Sequence, residues 1–134
     1  MTLLKNANML IHYKAWANDL SFSCVSKLTA AEQNRIRKTT FKTMVSTLNH
    51  IYVVDAIFQS HLMGTEHTYT ARNTPEHPPL LALWDNQKAL NAWYIDYVSS
   101  VSEEDFVKQI EFEFVGGGKG IMTPNEIVLH LVNL

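Results

Sequence analysis

A single cysteine, Cys24, leaves this 134-residue chain no partner for an internal disulfide. That excludes the cross-linked framework of small secreted domains. No apolar run approaches the roughly 18–20 residues that a membrane-spanning helix needs. The opening MTLLKNANMLIHYKAW lacks the charged-then-apolar layout of a signal peptide. Positive charge is also sparse. Eleven Lys and Arg against thirteen Asp and Glu give a formal charge of −2, and the cations (Lys5, Lys14, Lys27, Arg35, Arg37, Lys38, Lys42) never build a sustained basic face. No nucleic-acid or membrane partner is therefore expected, and a cytoplasmic protein is. What is present, 46% hydrophobic and 18% charged residues, is the composition of one globular domain with one core. Six histidines are the unusual item.

Helical periodicity dominates. From about Leu3 to Leu28 no Gly or Pro intervenes, and Met9, Tyr13, Trp16, Leu20, Cys24 and Leu28 recur at three- and four-residue steps. This spacing predicts an amphipathic helix with that stripe facing the core, and Cys24 as a buried, inert thiol. Thr29-Ala-Ala-Glu is a capping-box pattern for a short helical piece near residues 30–35. A second long helix is predicted from about Thr43 to Leu62, ending at Gly64. Its expected seam is Met44, Leu48, Ile51, Asp55, Phe58 and Leu62, with Thr47, His50, Val54, Ile57 and His61 as the adjacent stripe. Residues 65–79 are polar and proline-rich, which makes a loop. A third helix begins near Pro79 and runs to about Ser100 through Leu83, Leu90, Tyr94, Tyr97 and Val101.

Beyond it, Ser102-Glu-Glu-Asp is an N-cap with acidic residues favoured by the helix dipole. Ile110, Phe112 and Phe114 alternate with Glu111 and Glu113 as in a strand, and Gly116 to Gly120 supply a hairpin turn. The glycine run lacks the spacing and the hydroxyl residue of a phosphate-binding loop. Thr123-Pro-Asn-Glu opens the last helix. About eleven residues remain, or ~17 Å, and they end apolar without a stop signal. The whole is an all-α, up-down four-helix bundle with a small β-hairpin before an incomplete last helix, as a single domain over 1–134.

Two segments carry a resemblance. Leu48-Asn49-His50-Ile51-Tyr52-Val53-Val54-Asp55 looks like the second-helix signature of DinB/YfiT-like proteins, Leu-Asn-His with an acid five residues beyond the histidine. Glu126 to Asn133 resembles the start of that family's last-helix motif, and Tyr13-Lys-Ala-Trp-Ala-Asn18 agrees more weakly in the first helix. The order of elements matches over essentially the whole chain. The resemblance implies a divalent metal, nickel or zinc, held by the second-helix histidine and two last-helix histidines four residues apart. An i, i+4 pair shares one helix face, and an imidazole from a facing helix closes a three-nitrogen site. Three protein ligands leave positions open for water or substrate, where a metal can generate a nucleophile at neutral pH.

His50 matches the first ligand. The second should follow Asn133, where Leu134 stands, and the third lies four residues further on. Either Leu134 is native and the site has been lost, or these residues are a shortened form of a longer parent chain; the uncapped apolar end favours the second. His130, one turn before Leu134, is expected to pack along the last helix or bond a neighbour such as Asp55 rather than ligate. Asp55 is read either as a partner that orients an imidazole or pairs with the family's arginine, or as a helix-surface aspartate. His12, His61, His67 and His77 have no matching spacing and are assigned ordinary surface or boundary roles.

The resemblance implies a metal-dependent hydrolase or a thiol-dependent S-transferase, since related proteins include bacillithiol- and mycothiol-using enzymes. The alternative is a non-catalytic bundle acting in a stress response through protein contacts. This chain by itself is expected to hold no stoichiometric metal. It is also expected to self-associate as a homodimer, covering the apolar surface that an incomplete last helix leaves bare.

Overall fold

A computed structural model describes residues 2–134. Among them, four helices form the bundle: α1 (Thr2–Ser26), α3 (Met44–Met63), α4 (Leu80–Ser100) and α6 (Pro124–Val132). One-turn helices α2 (Ala30–Gln33) and α5 (Glu103–Phe106) punctuate the connections, and β1 (Ile110–Glu113) pairs antiparallel with β2 (Lys119–Met122) just before α6. α1 packs on α4 and α6, and α3 packs on the same two helices from the other side.

The helix starts follow local chemistry. The side chains of Thr29, Thr43, Ser102 and Thr123 each accept a hydrogen bond from the backbone N–H three residues on. At Thr123 the Glu126 carboxylate returns the bond, completing the capping box. Gly64 ends α3 in the left-handed conformation. Pro79 is the N-cap residue of α4, one position earlier than a first-turn proline. α6 is followed by Asn133 and Leu134. The Asn133 backbone N–H donates to the His130 carbonyl and its side-chain amide to the Leu129 carbonyl.

In the hairpin, Glu113 faces Lys119 and Phe112 faces Gly120. A Cβ on Gly120 would sit 2.8 Å from the rings of Phe112 and Phe114, so only glycine lets both rings close over the strand.

The core differs from expectation chiefly in α1. Its buried residues are Ala7, Ile11, Lys14 and Phe22. Met9, Tyr13, Trp16, Leu20 and Leu28, the stripe expected to face inward, are all exposed, and so is Cys24. The helix carries two apolar faces, and the one with Ala7, Ile11 and Phe22 packs inward, where Lys14 finds the Asp55 carboxylate. On α3 the burial is spread over both expected stripes. Leu48, Asp55 and Phe58 are buried with Val54 and Ile57, while Met44, Ile51 and Leu62 are only half-buried. Leu134 is exposed.

Two apolar clusters result. The larger joins Ile11, Phe58, Leu90, Tyr94, Phe106, Ile127 and Leu131; the smaller joins Phe22, Val45, Leu48 and Leu83. Between them lies a buried polar layer. Lys14 Nζ stands 3.3 Å from Asp55 Oδ1 and donates to the Leu131 carbonyl at 3.0 Å. Gln87 Nε2 donates to Asp55 Oδ2 at 3.0 Å and to Asn91 Oδ1 at 2.9 Å. Asn18 also donates to Asn91, and the Tyr94 hydroxyl to the Asp55 carbonyl. Each of α1, α3 and α4 thus contributes a charged or amide group, and Lys14 ties the layer to α6.

Candidate functional site

The motif residues Asn49 and His50 sit on the face of α3 covered by the 65–79 loop. Asn49 is buried, and its amide donates to Asn73 Oδ1 at 2.5 Å and to Thr74 Oγ1 at 2.8 Å. Asn73 in turn donates to the Ser46 carbonyl. Asn49 therefore fastens the loop to the helix, a role the sequence motif conceals. That fastening brings the Arg72 carbonyl to His50, 2.6 Å from Nδ1. A carbonyl only accepts, so Nδ1 is the donor, which in a neutral ring assigns the lone pair to Nε2. The Phe41 ring stacks on the imidazole at 4.2 Å and fixes its plane.

His50 lies on the wall of a cleft of about 350 Å³ between α3, the hairpin and α6. Val54, Ile57, Phe58, Phe114, Val115 and Leu134 supply apolar walls, and His50, His61, Arg72 and His130 the polar groups. His61 is eleven residues beyond His50, three helical turns, and so returns to the same side of α3. Its ring stacks on Phe112 at 4.4 Å and meets the edge of His67 at 5.7 Å. Burial, helped by the neighbouring His67, holds its pKa below 6.5. His67 Nδ1 accepts from the Tyr69 N–H. His130 is exposed, with its ring against Phe58 at 5.5 Å.

Three of the six histidines thus line one cleft, where the family motif singled out one. The signal for His61 was its place on the same stripe as His50. His12 and His77 are exposed, in agreement with surface roles. Two expectations are corrected. Asp55 is not a helix-surface residue: it is wholly buried and paired with Lys14 and Gln87, and it makes no hydrogen bond to an imidazole among the described residues. Burial nevertheless keeps its pKa above 3.8, outweighing the pull of the Lys14 charge. His130 makes no bond to it, because its side chain faces the cleft and solvent.

The donor set can be tested against the implied metal. His50 suits it: a ligating imidazole normally has its other N–H on a carbonyl or carboxylate, as Nδ1 has here. The rest of the site does not. Among the described residues no three His, Cys, Asp or Glu side chains are placed to hold a metal ion together. The described residues thus show no three-ligand cluster around His50.

A helical bundle with an imidazole-lined cleft beside a loop-anchoring Asn-His pair defines a family rather than an activity. The model of the DinB family matches residues 3–133, and the chain belongs to that family. No curated protein matches it. No helix among the described residues is long and apolar enough to cross a membrane.

Proposed function

We propose that the cleft beside His50 is the reaction site of a cytoplasmic DinB-family enzyme, a divalent-metal-dependent hydrolase or thiol-dependent S-transferase, in a form whose metal site is incomplete. The observation that carries this reading is the hydrogen bond from His50 Nδ1–H to the Arg72 carbonyl. It orients the ring of a histidine that lines a cleft with mostly apolar walls and a few polar groups, and in the neutral ring it assigns the lone pair to Nε2. Arg72 and the imidazoles of His61 and His130 suit the polar end of a small, otherwise apolar substrate, which the phenylalanines would cover.

His50 is one ligand, and Leu134 stands where the family motif has the next. A single imidazole does not retain a divalent ion at micromolar concentration, so no catalytic step is assigned to these residues. The test is a chain continued after Asn133 with the family's two histidines and Arg-Gly. It should bind one Zn²⁺ or Ni²⁺ per chain by calorimetry and lose it in His50→Ala. Equal binding with and without His50 would remove the cleft from consideration.

The second reading is a non-catalytic bundle that works through protein contacts. The apolar stripe exposed on α1 favours it, and titration of the continued chain separates the two.

A further inference from the structure

The exposed stripe of α1 is regular. Met9, Tyr13, Trp16 and Leu20 step by four, three and four residues and are 64%, 57%, 59% and 49% exposed. At about 100° per residue they lie roughly opposite Ala7, Ile11 and Phe22, so nothing in the bundle covers them. The Tyr13 and Trp16 rings lean together at 5.8 Å, forming one continuous apolar surface. Four-three-four spacing is the seam of a helix pair.

One edge of the stripe carries Lys5, His12 and Asp19 at seven-residue intervals. Lys5 and Asp19 are exposed, and neither has an ion-pair partner among the described residues. One Asp19 oxygen accepts from Trp84 Nε1 at 2.8 Å, which holds the carboxylate at this edge.

We propose that the stripe is the interface of a homodimer, with α1 of two copies packed antiparallel across a two-fold axis near His12 and Tyr13. Lys5 and Asp19 are equidistant from His12, so antiparallel pairing sets Lys5 against the partner's Asp19, twice. Parallel pairing would set like charges together and is disfavoured. The same register lays Met9 on the partner's Trp16. It also brings the partner's Leu3 to the open apolar depression lined by Leu20, Cys24, Met44 and Leu48. A two-fold contact of this kind is self-complementary.

Two aromatic side chains per copy can bury on the order of 150–250 Å² each. With their neighbours along a ~37 Å helix, they approach the ~800 Å² per partner of a stable interface. A lipid surface fits less well, because among the described residues Lys5 is the one exposed lysine or arginine on α1, with Lys27 just beyond its end.

Sedimentation equilibrium at about 100 µM tests the proposal. The native chain should run as a dimer. Trp16→Glu should run as a monomer with an unchanged helical circular-dichroism spectrum. Lys5→Glu should weaken dimerisation at least tenfold, with recovery in Lys5→Glu/Asp19→Lys. His12→Cys in a Cys24→Ser background should be joined into dimers by a short bis-maleimide, and Lys27→Cys should not. A monomeric native chain, or a dimer that survives Trp16→Glu, overturns the proposal. So does a monomer that sediments with phosphatidylglycerol vesicles through Trp16.

Discussion

The polar layer in the middle of the bundle and the cleft at His50 both place imidazole, carboxylate, amide or ammonium groups among apolar side chains, but they differ in how those groups are partnered. Lys14, Asp55, Gln87, Asn91, Asn18 and Tyr94 are bonded to one another across the helices. The cleft histidines contact aromatic rings and the main chain, and they leave ring nitrogens open. Buried charge that is paired across helices serves the fold, and polar groups held at the wall of a cleft are available to a ligand. The layer is nevertheless not fully matched. Gln87 Oε1 is buried without a hydrogen bond, and so is Asp55 Oδ1, whose 3.3 Å approach to Lys14 is an ion pair outside hydrogen-bonding geometry.

Breaking the layer should have the largest effect. Lys14→Met leaves Asp55 buried without its cation and should lower unfolding stability by about 3–5 kcal/mol at neutral pH, read from urea denaturation. Acid should soften that loss. The pKa of Asp55 in the fold is raised above 3.8, so its burial opposes folding fully above the folded pKa and ceases to do so below 3.8. The Lys14→Met deficit should therefore shrink as pH falls towards 3.8. A deficit that grows on acidification would show that Asp55 is not the group left stranded.

Next in size is the anchor between helix and loop. Asn49→Ala removes both bonds to the 65–79 loop and should cost about 1–3 kcal/mol. It should also move the His50 ring resonances, because Arg72 is released. Gly120→Ala should cost a similar ~1–3 kcal/mol by displacing Phe112 or Phe114, and it disturbs the cleft wall without touching a polar group. A smaller effect is expected at His61. Its folded pKa is depressed below 6.5, so the stability it contributes is present above pH 6.5 and lost as pH falls through the folded pKa. His61→Phe should flatten the stability profile in that window. His50→Ala, last, should change stability by no more than about 1 kcal/mol, the mark of a residue that the fold does not depend on.

The bundle was legible in the sequence because period and punctuation are local. Thr43, Gly64 and the Thr123–Glu126 box mark helix ends by their own chemistry, and Gly116 to Gly120 mark the hairpin. The facing of α1 was not. Met9, Tyr13, Trp16 and Leu20 repeat as well as Ala7, Ile11 and Phe22, and periodicity cannot say which of two apolar faces a bundle chooses. Lys14 disguised the inner face, since its charge reads as solvent-exposed until Asp55 is seen opposite. That pairing spans α1 and α3 and has no local sequence signal. His50 and Asn49 stood out by motif, yet the loop that orients them is tied down by Asn73 and Thr74, more than twenty residues away. The convergence of His61 and His130 on the same cleft likewise depends on helix packing.

Calorimetric titration of Zn²⁺ into the 134-residue chain, after chelation and re-dialysis, tests the account of the cleft most directly. One oriented imidazole without two further ligands predicts no one-to-one complex at micromolar concentration. Tight one-to-one binding that disappears in His50→Ala would contradict it, and would mean that the cleft side chains assemble a metal centre of their own.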